Sequence, residues 1–139
     1  STDPINHEKM VYIRKEKIER IADDIPALEV SHNADADTLL VGWGGTFGHL
    51  YTAAEELNKE GKPVAFAHFR YINPLPANTA EVFAKYRRVI VAELNTGQFA
   101  DYLQSKFPEV KFERINKVQG QPFLVKEVID GVTKIMEGK

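Results

Sequence analysis

Three apolar runs, each followed by a helical pattern, limit what this chain can fold into. The runs are Thr38 to Trp43, Val64 to Phe69 and Val89 to Leu94. They are apolar nearly throughout rather than alternating, as expected of strands covered on both faces. The helical patterns cover Thr46 to Glu60, Thr79 to Tyr86 and Gln98 to Phe107. In the first, Leu50, Ala53, Ala54 and Leu57 share one face, with Thr46 as expected N-cap and Gly61 as C-terminal stop. Repeated strand–helix units predict an α/β fold: a three-layer α/β/α sandwich around a mostly parallel central sheet.

The flanks are different. Asn6 to Asp24 reads as an amphipathic helix, with Val11, Ile18 and Ile25 in register and Pro26 ending it. Glu29 to Asp37 is polar and reads as a linker. This divides the chain into a helix and linker over residues 1–37 and an α/β domain over 38–139. Val110 to Ile115 alternates apolar and polar, which suits a strand nearer an edge. The last helix is expected from Pro122, a favoured first helical position, with Val125, Val128, Ile129, Val132 and Ile135 facing the core.

Composition excludes several functions. The 139 residues fit one domain with a real core. A net charge of -2 provides no basic field for nucleic acid or an anionic membrane surface. Without cysteine there is no thiolate-held iron–sulfur cluster, disulfide or thiol nucleophile. No apolar segment approaches the ~18 residues of a membrane span, and no secretory leader is read, so a cytoplasmic protein is expected. The chain opens at Ser1 without an initiator Met, which suggests a piece of a longer polypeptide.

The first run ends in Gly42-Trp43-Gly44-Gly45-Thr46-Phe47-Gly48. In the dinucleotide fingerprint counted from Gly42, Phe47 occupies the third glycine position, and the next strand ends in His68-Phe69 without a ribose-binding acid. No Gly-Lys-Ser/Thr follows, so it is no phosphate-binding P-loop. Two readings remain open. The helix start behind Gly45 offers free N–H groups to a phosphate or carboxylate. Alternatively, the glycines allow a tight turn against which another domain packs.

Function in parallel α/β sheets gathers at the C-terminal ends of strands. Two further segments belong to that edge: His68 to Pro76, and Glu93-Leu94-Asn95-Thr96-Gly97-Gln98. A fourth, Lys117 to Phe123, precedes the last helix. Glu93 closes an apolar strand, so its charge needs a partner or water. It reads as a cap, an ion-pair partner of Arg70, or a general base. His68 reads as hydrogen-bonded or as an acid–base group. No metal-ligand spacing and no G-x-S-x-G elbow occur. The residues expected to touch a ligand or another domain are Gly42, Trp43, Gly44, Gly45, Thr46 and Gly48, then Arg70, Tyr71 and Asn73, then Glu93, Asn95, Gln98 and Lys117.

The ordered strand-end motifs resemble the C-terminal domain of transketolase-like thiamine enzymes. They more closely resemble domain II of the alpha subunit of 2-oxoacid:ferredoxin oxidoreductases, the 2-oxoglutarate type nearest. The carriers are Gly42 to His49, Tyr71-Ile72-Asn73-Pro74-Leu75-Pro76, Glu93 to Phe99, and Lys117 to Phe123. The resemblance covers most of the chain. It implies oxidative decarboxylation of a 2-oxoacid to its acyl-CoA, with coenzyme A as substrate. Thiamine diphosphate and magnesium serve the chemistry, and iron–sulfur clusters pass electrons to ferredoxin.

This chain departs from a complete enzyme. The thiamine signature Gly-Asp-Gly with its downstream Asn is missing, and its only Asp-Gly, Asp130-Gly131, follows Ile129. The resemblance therefore implies a non-catalytic domain, inactive alone and binding no cofactor by itself. Its partners would be the remaining alpha-subunit domains and the thiamine-binding beta subunit. The alternatives are a free-standing small-anion binding module, or the C-terminal domain of another thiamine enzyme such as a 2-oxoacid dehydrogenase beta subunit. Trp43, Phe47, Phe69 and Tyr71 are expected to form an exposed patch that would favour homodimers of an isolated domain.

Overall fold

The three apolar runs become the three inner strands of one five-stranded sheet. A computed structural model describes residues 24–94, 97–117 and 124–138. The strands are β1 (Val30–His32), β2 (Thr38–Trp43), β3 (Ala65–Phe69), β4 (Arg88–Glu93) and β5 (Phe112–Asn116), in spatial order β1-β3-β2-β4-β5. All pairs are parallel except β1 with β3. The helices are α1 (Phe47–Lys59), α2 (Thr79–Ala84), α3 (Gln98–Lys106) and α4 (Val125–Met136), and a 3-10 turn over Gly44–Thr46 precedes α1.

Strand alternation divides the core between the two faces. Leu39, Val41, Ala67, Phe69, Val89 and Val91 pack with Val82 and Phe83 of α2 and Phe99, Ala100 and Leu103 of α3. Leu40, Phe66, Ile90 and Ala92 pack with Leu50, Ala53, Ala54 and Leu57 of α1 and Val128 and Val132 of α4. Helices thus cover both faces, which is the three-layer sandwich that the sequence predicts. Each fully buried Leu or Phe contributes roughly 1.5–3 kcal/mol from apolar burial.

Helix α1 ends as its sequence predicts. Gly61 takes φ 78°, Lys62 N–H donates to the Leu57 carbonyl at 2.9 Å, and Gly61 N–H donates to Asn58 at 3.1 Å. That pair of bonds is a Schellman close.

Two expectations change. The segment expected as a linker holds β1, where Ser31 stands opposite Phe66 in β3. Val30-Ser31-His32 has no apolar run, because backbone pairing rather than side-chain burial recruits it. Thr46 stands at the N-cap of α1 without capping it. Its hydroxyl instead donates to the Trp43 carbonyl at 3.0 Å and closes the 3-10 turn. The expected N-terminal helix lies outside the described residues except Asp24, and the expected helix start at Pro122 lies wholly outside them. Among the described residues no helix is long and apolar enough to cross a membrane.

Candidate functional site

Parallel pairing of β2, β3, β4 and β5 brings their C-terminal ends, Trp43, Phe69, Glu93 and Asn116, to one edge of the sheet. The loops carrying the expected site residues all leave from this edge. The edge has two halves with different character.

In the β4–β5 half the polar groups bind one another. Glu93 is fully buried. Its Oε1 accepts from Phe99 N–H at 3.0 Å and its Oε2 from Ala100 N–H at 2.9 Å. These are free N–H groups of the first turn of α3, so the carboxylate caps that helix from a neighbouring strand. Of the three roles open for Glu93, the geometry selects the cap. Its charge favours the helix start, and two charge-assisted bonds offset its desolvation. The Glu93 carbonyl also accepts from Lys117 N–H at 3.1 Å.

The Lys117 ammonium turns away and donates to Glu127 Oε1 at 2.6 Å. The same oxygen accepts from Leu124 N–H at 3.0 Å, ahead of α4. The hydrogen bond from Lys117, followed by that from Leu124, holds the Glu127 carboxyl below its ordinary value of 4.5. Arg114 pairs with Asp101 of α3 at 2.7 Å. Gln98 opens α3 and is exposed, while Asn95 lies outside the described residues.

The β2–β3 half is more open. Gly42 is the tight point, because a Cβ there would overlap the Leu50 side chain and crowd Thr46 and His68. This is the close helix-on-strand approach that only glycine permits. Gly44 takes φ 66°, and a Cβ at Gly44, Gly45 or Gly48 would meet nothing within 4 Å. Trp43 is half-buried, its ring 5.5 Å from that of Phe99. Beyond β3, Arg70, Tyr71 and Asn73 are exposed, and the Asn73–Pro74 peptide is cis.

The expected aromatic patch is also corrected. Phe69 points into the core and is 1% exposed. Phe47 and Tyr71 are 43% and 45% exposed, joined by Tyr51, whose ring lies 5.6 Å from that of Phe47. Tyr51 was legible only as part of the outer face of α1. Together with His68 and Arg70, Phe47, Tyr51 and Tyr71 line a groove of about 420 Å³. His68 Nδ1 is buried without a hydrogen-bond partner among the described residues. Burial lowers the imidazole pKa below 6.5, the Gly44 backbone opposes that shift, and the Arg70 charge adds to it.

Residues 28–100 match the family model described as transketolase, C-terminal domain. The chain is 42% identical over 129 residues to 2-oxoglutarate oxidoreductase subunit KorA of Mycobacterium tuberculosis, which covers 92% of this chain and 19% of that protein. It is 31% identical over 141 residues to 2-oxoacid:ferredoxin oxidoreductase 1, subunit alpha, of Aeropyrum pernix, with 96% and 22% covered. Among solved structures, 2-oxoglutarate:ferredoxin oxidoreductase from Magnetococcus marinus, with 2-oxoglutarate, coenzyme A and succinyl-CoA bound, superposes with a TM-score of 0.83. The identity there is 27%, covering 96% of this chain and 24% of that one. A split gene transketolase shares the fold with a TM-score of 0.63 at 16% identity, over 78% of this chain and 41% of that one. The chain spans about a fifth of the length of the curated relatives it matches, 19% and 22%.

Proposed function

The chain belongs to the transketolase C-terminal domain family, and from that premise we propose that it is a non-catalytic domain of the alpha subunit of a thiamine-dependent 2-oxoacid:ferredoxin oxidoreductase. The proposed 2-oxoacid is 2-oxoglutarate, oxidatively decarboxylated to its acyl-CoA. The observation that carries this reading is the likeness to the M. tuberculosis subunit across nearly the whole chain rather than over one motif. The strand-end edge supports it. The β4–β5 half is bonded within the chain, whereas Gly44, Gly45, Phe47, Arg70 and Tyr71 stand exposed beside it.

In this reading Gly44 and Gly45 pack against the thiamine-binding domains, and the domain helps shape the approach of 2-oxoacid or coenzyme A. The partners are the other alpha-subunit domains and the beta subunit, with ferredoxin reached through the whole enzyme. In this reading the protein is cytoplasmic.

The described residues offer no ligand set for the magnesium that accompanies thiamine diphosphate. Glu93 has both oxygens taken by backbone N–H groups. Among the described residues, no group of three His, Cys, Asp or Glu is placed to hold a metal ion. We therefore assign the thiamine chemistry to other segments and subunits.

Capture of the native polypeptide with an antibody to this chain tests the reading. The expected result is a mass far above 15.7 kDa, a co-purifying second subunit, and viologen reduction that requires both 2-oxoglutarate and coenzyme A. A native mass near that of this chain, without such activity, overturns it.

A further inference from the structure

We propose that the groove between the start of α1 and the end of β3 binds a flat organic anion, a planar apolar body bearing one carboxylate or phosphate. Its volume of about 420 Å³ falls within the range of small-molecule sites. The walls provide two kinds of contact. Phe47 is held by neighbouring rings, at 5.1 Å from His68 and 5.8 Å from Phe66, yet remains 43% exposed. A ring fixed on one side and bare on the other is a stacking platform with little side-chain entropy left to lose. Tyr71, equally bare, stands on the lining beyond β3.

The polar contacts converge beside that platform. Arg70 lines the groove and makes no hydrogen bond or ion pair among the described residues. Its planar fork matches carboxylate and phosphate oxygens. His68 also lines the groove, and its Nδ1 is buried on the side of Gly42, where a Cβ would lie 3.3 Å from it. Nε2 is therefore the nitrogen that a ligand meets. Burial keeps the imidazole neutral near neutral pH, so Arg70 carries the positive charge and His68 provides a neutral polar contact. Glu29 is the one carboxylate among the lining residues. Arg70 is the one permanently cationic side chain of the lining, so it takes the charged group and the aromatic wall takes the body.

The groove consists of this chain's own residues, so it stands or falls separately from the enzyme assignment. Isothermal titration of the 139-residue chain with phenyl phosphate, benzoate and inorganic phosphate tests it. Saturable binding of an aryl anion is expected, weakened about tenfold or more by Arg70→Met and also weakened by Phe47→Ala. Whether phenyl phosphate or benzoate binds more tightly identifies the anionic group. Inorganic phosphate is expected to bind far more weakly than phenyl phosphate. Absence of saturable binding by both aryl anions, or unchanged binding in Arg70→Met, overturns the site. Equal affinity for the two phosphates overturns the role of the aromatic wall.

Discussion

Asn78 holds both backbone polar groups of Leu28. Its Oδ1 accepts from Leu28 N–H at 2.7 Å, and its Nδ2 donates to the Leu28 carbonyl at 3.1 Å. Asn78 stands at the N-cap of α2 but makes no side-chain cap there. Its amide is committed to a chain segment fifty positions away, and that segment borders the groove.

Replacing Asn78 with Ala removes both bonds and leaves the Leu28 groups unsatisfied. The expected loss is about 1–3 kcal/mol, read from urea unfolding. A variant within the error of the parent would show that the pair contributes nothing net.

Glu93→Gln keeps the shape but loses the charge and turns an NH₂ toward a backbone N–H. The expected destabilisation is about 3 kcal/mol, with early fraying of α3 in amide exchange. Unchanged protection at Phe99 and Ala100 would refute the capping role.

The glycine loop separates folding from assembly. Gly42→Ala places a methyl group against Leu50, with an expected cost of about 1–3 kcal/mol in the chain itself. Gly45→Val enters open space and is expected to change chain stability by less than about 0.5 kcal/mol. In the proposed full enzyme it is expected to impair assembly or activity. Normal assembly in that variant would argue against close packing of another domain on this loop.

Glu127 gives a pH signature. Its carboxyl ionises more readily in the folded chain than in the unfolded one. Its stabilisation is therefore complete above 4.5 and is lost as pH falls through the lower folded value. The stability gap between the parent and Glu127→Gln should be level above 4.5 and close below it. In Lys117→Met, the largest cause of the shift is gone, and carboxyl NMR should show Glu127 titrating nearer 4.5. An unmoved titration would reject Lys117 as the cause.

The central strands were legible because both faces are buried, so β2, β3 and β4 each appear as an unbroken apolar run. β1 was not, because Val30-Ser31-His32 joins the sheet through backbone bonds that leave little mark on composition. The edge was legible as a set of strand ends. The division of labour along it was not, since Glu93 meets partners six and seven positions later through a turn whose direction no periodicity encodes. Arg70 and Tyr71 stood out in the sequence, whereas Tyr51 did not. Its place in the groove depends on how α1 lies against β3.

The split edge also sorts natural variation. In the β4–β5 half, Glu93 to α3, Arg114 to Asp101 and Lys117 to Glu127 form closed circuits within one chain. A change there is felt by the chain in isolation and is repaired only by a second change in the same chain. At Gly45, Phe47, Arg70 and Tyr71 the described residues form no such polar circuit. Substitutions at Gly45, Arg70 and Tyr71 should be nearly silent in an isolated melt, whereas Phe47→Ala also loses its ring contacts with Phe66 and His68. In the proposed assembly, suppressors of the first three would lie outside these 139 residues.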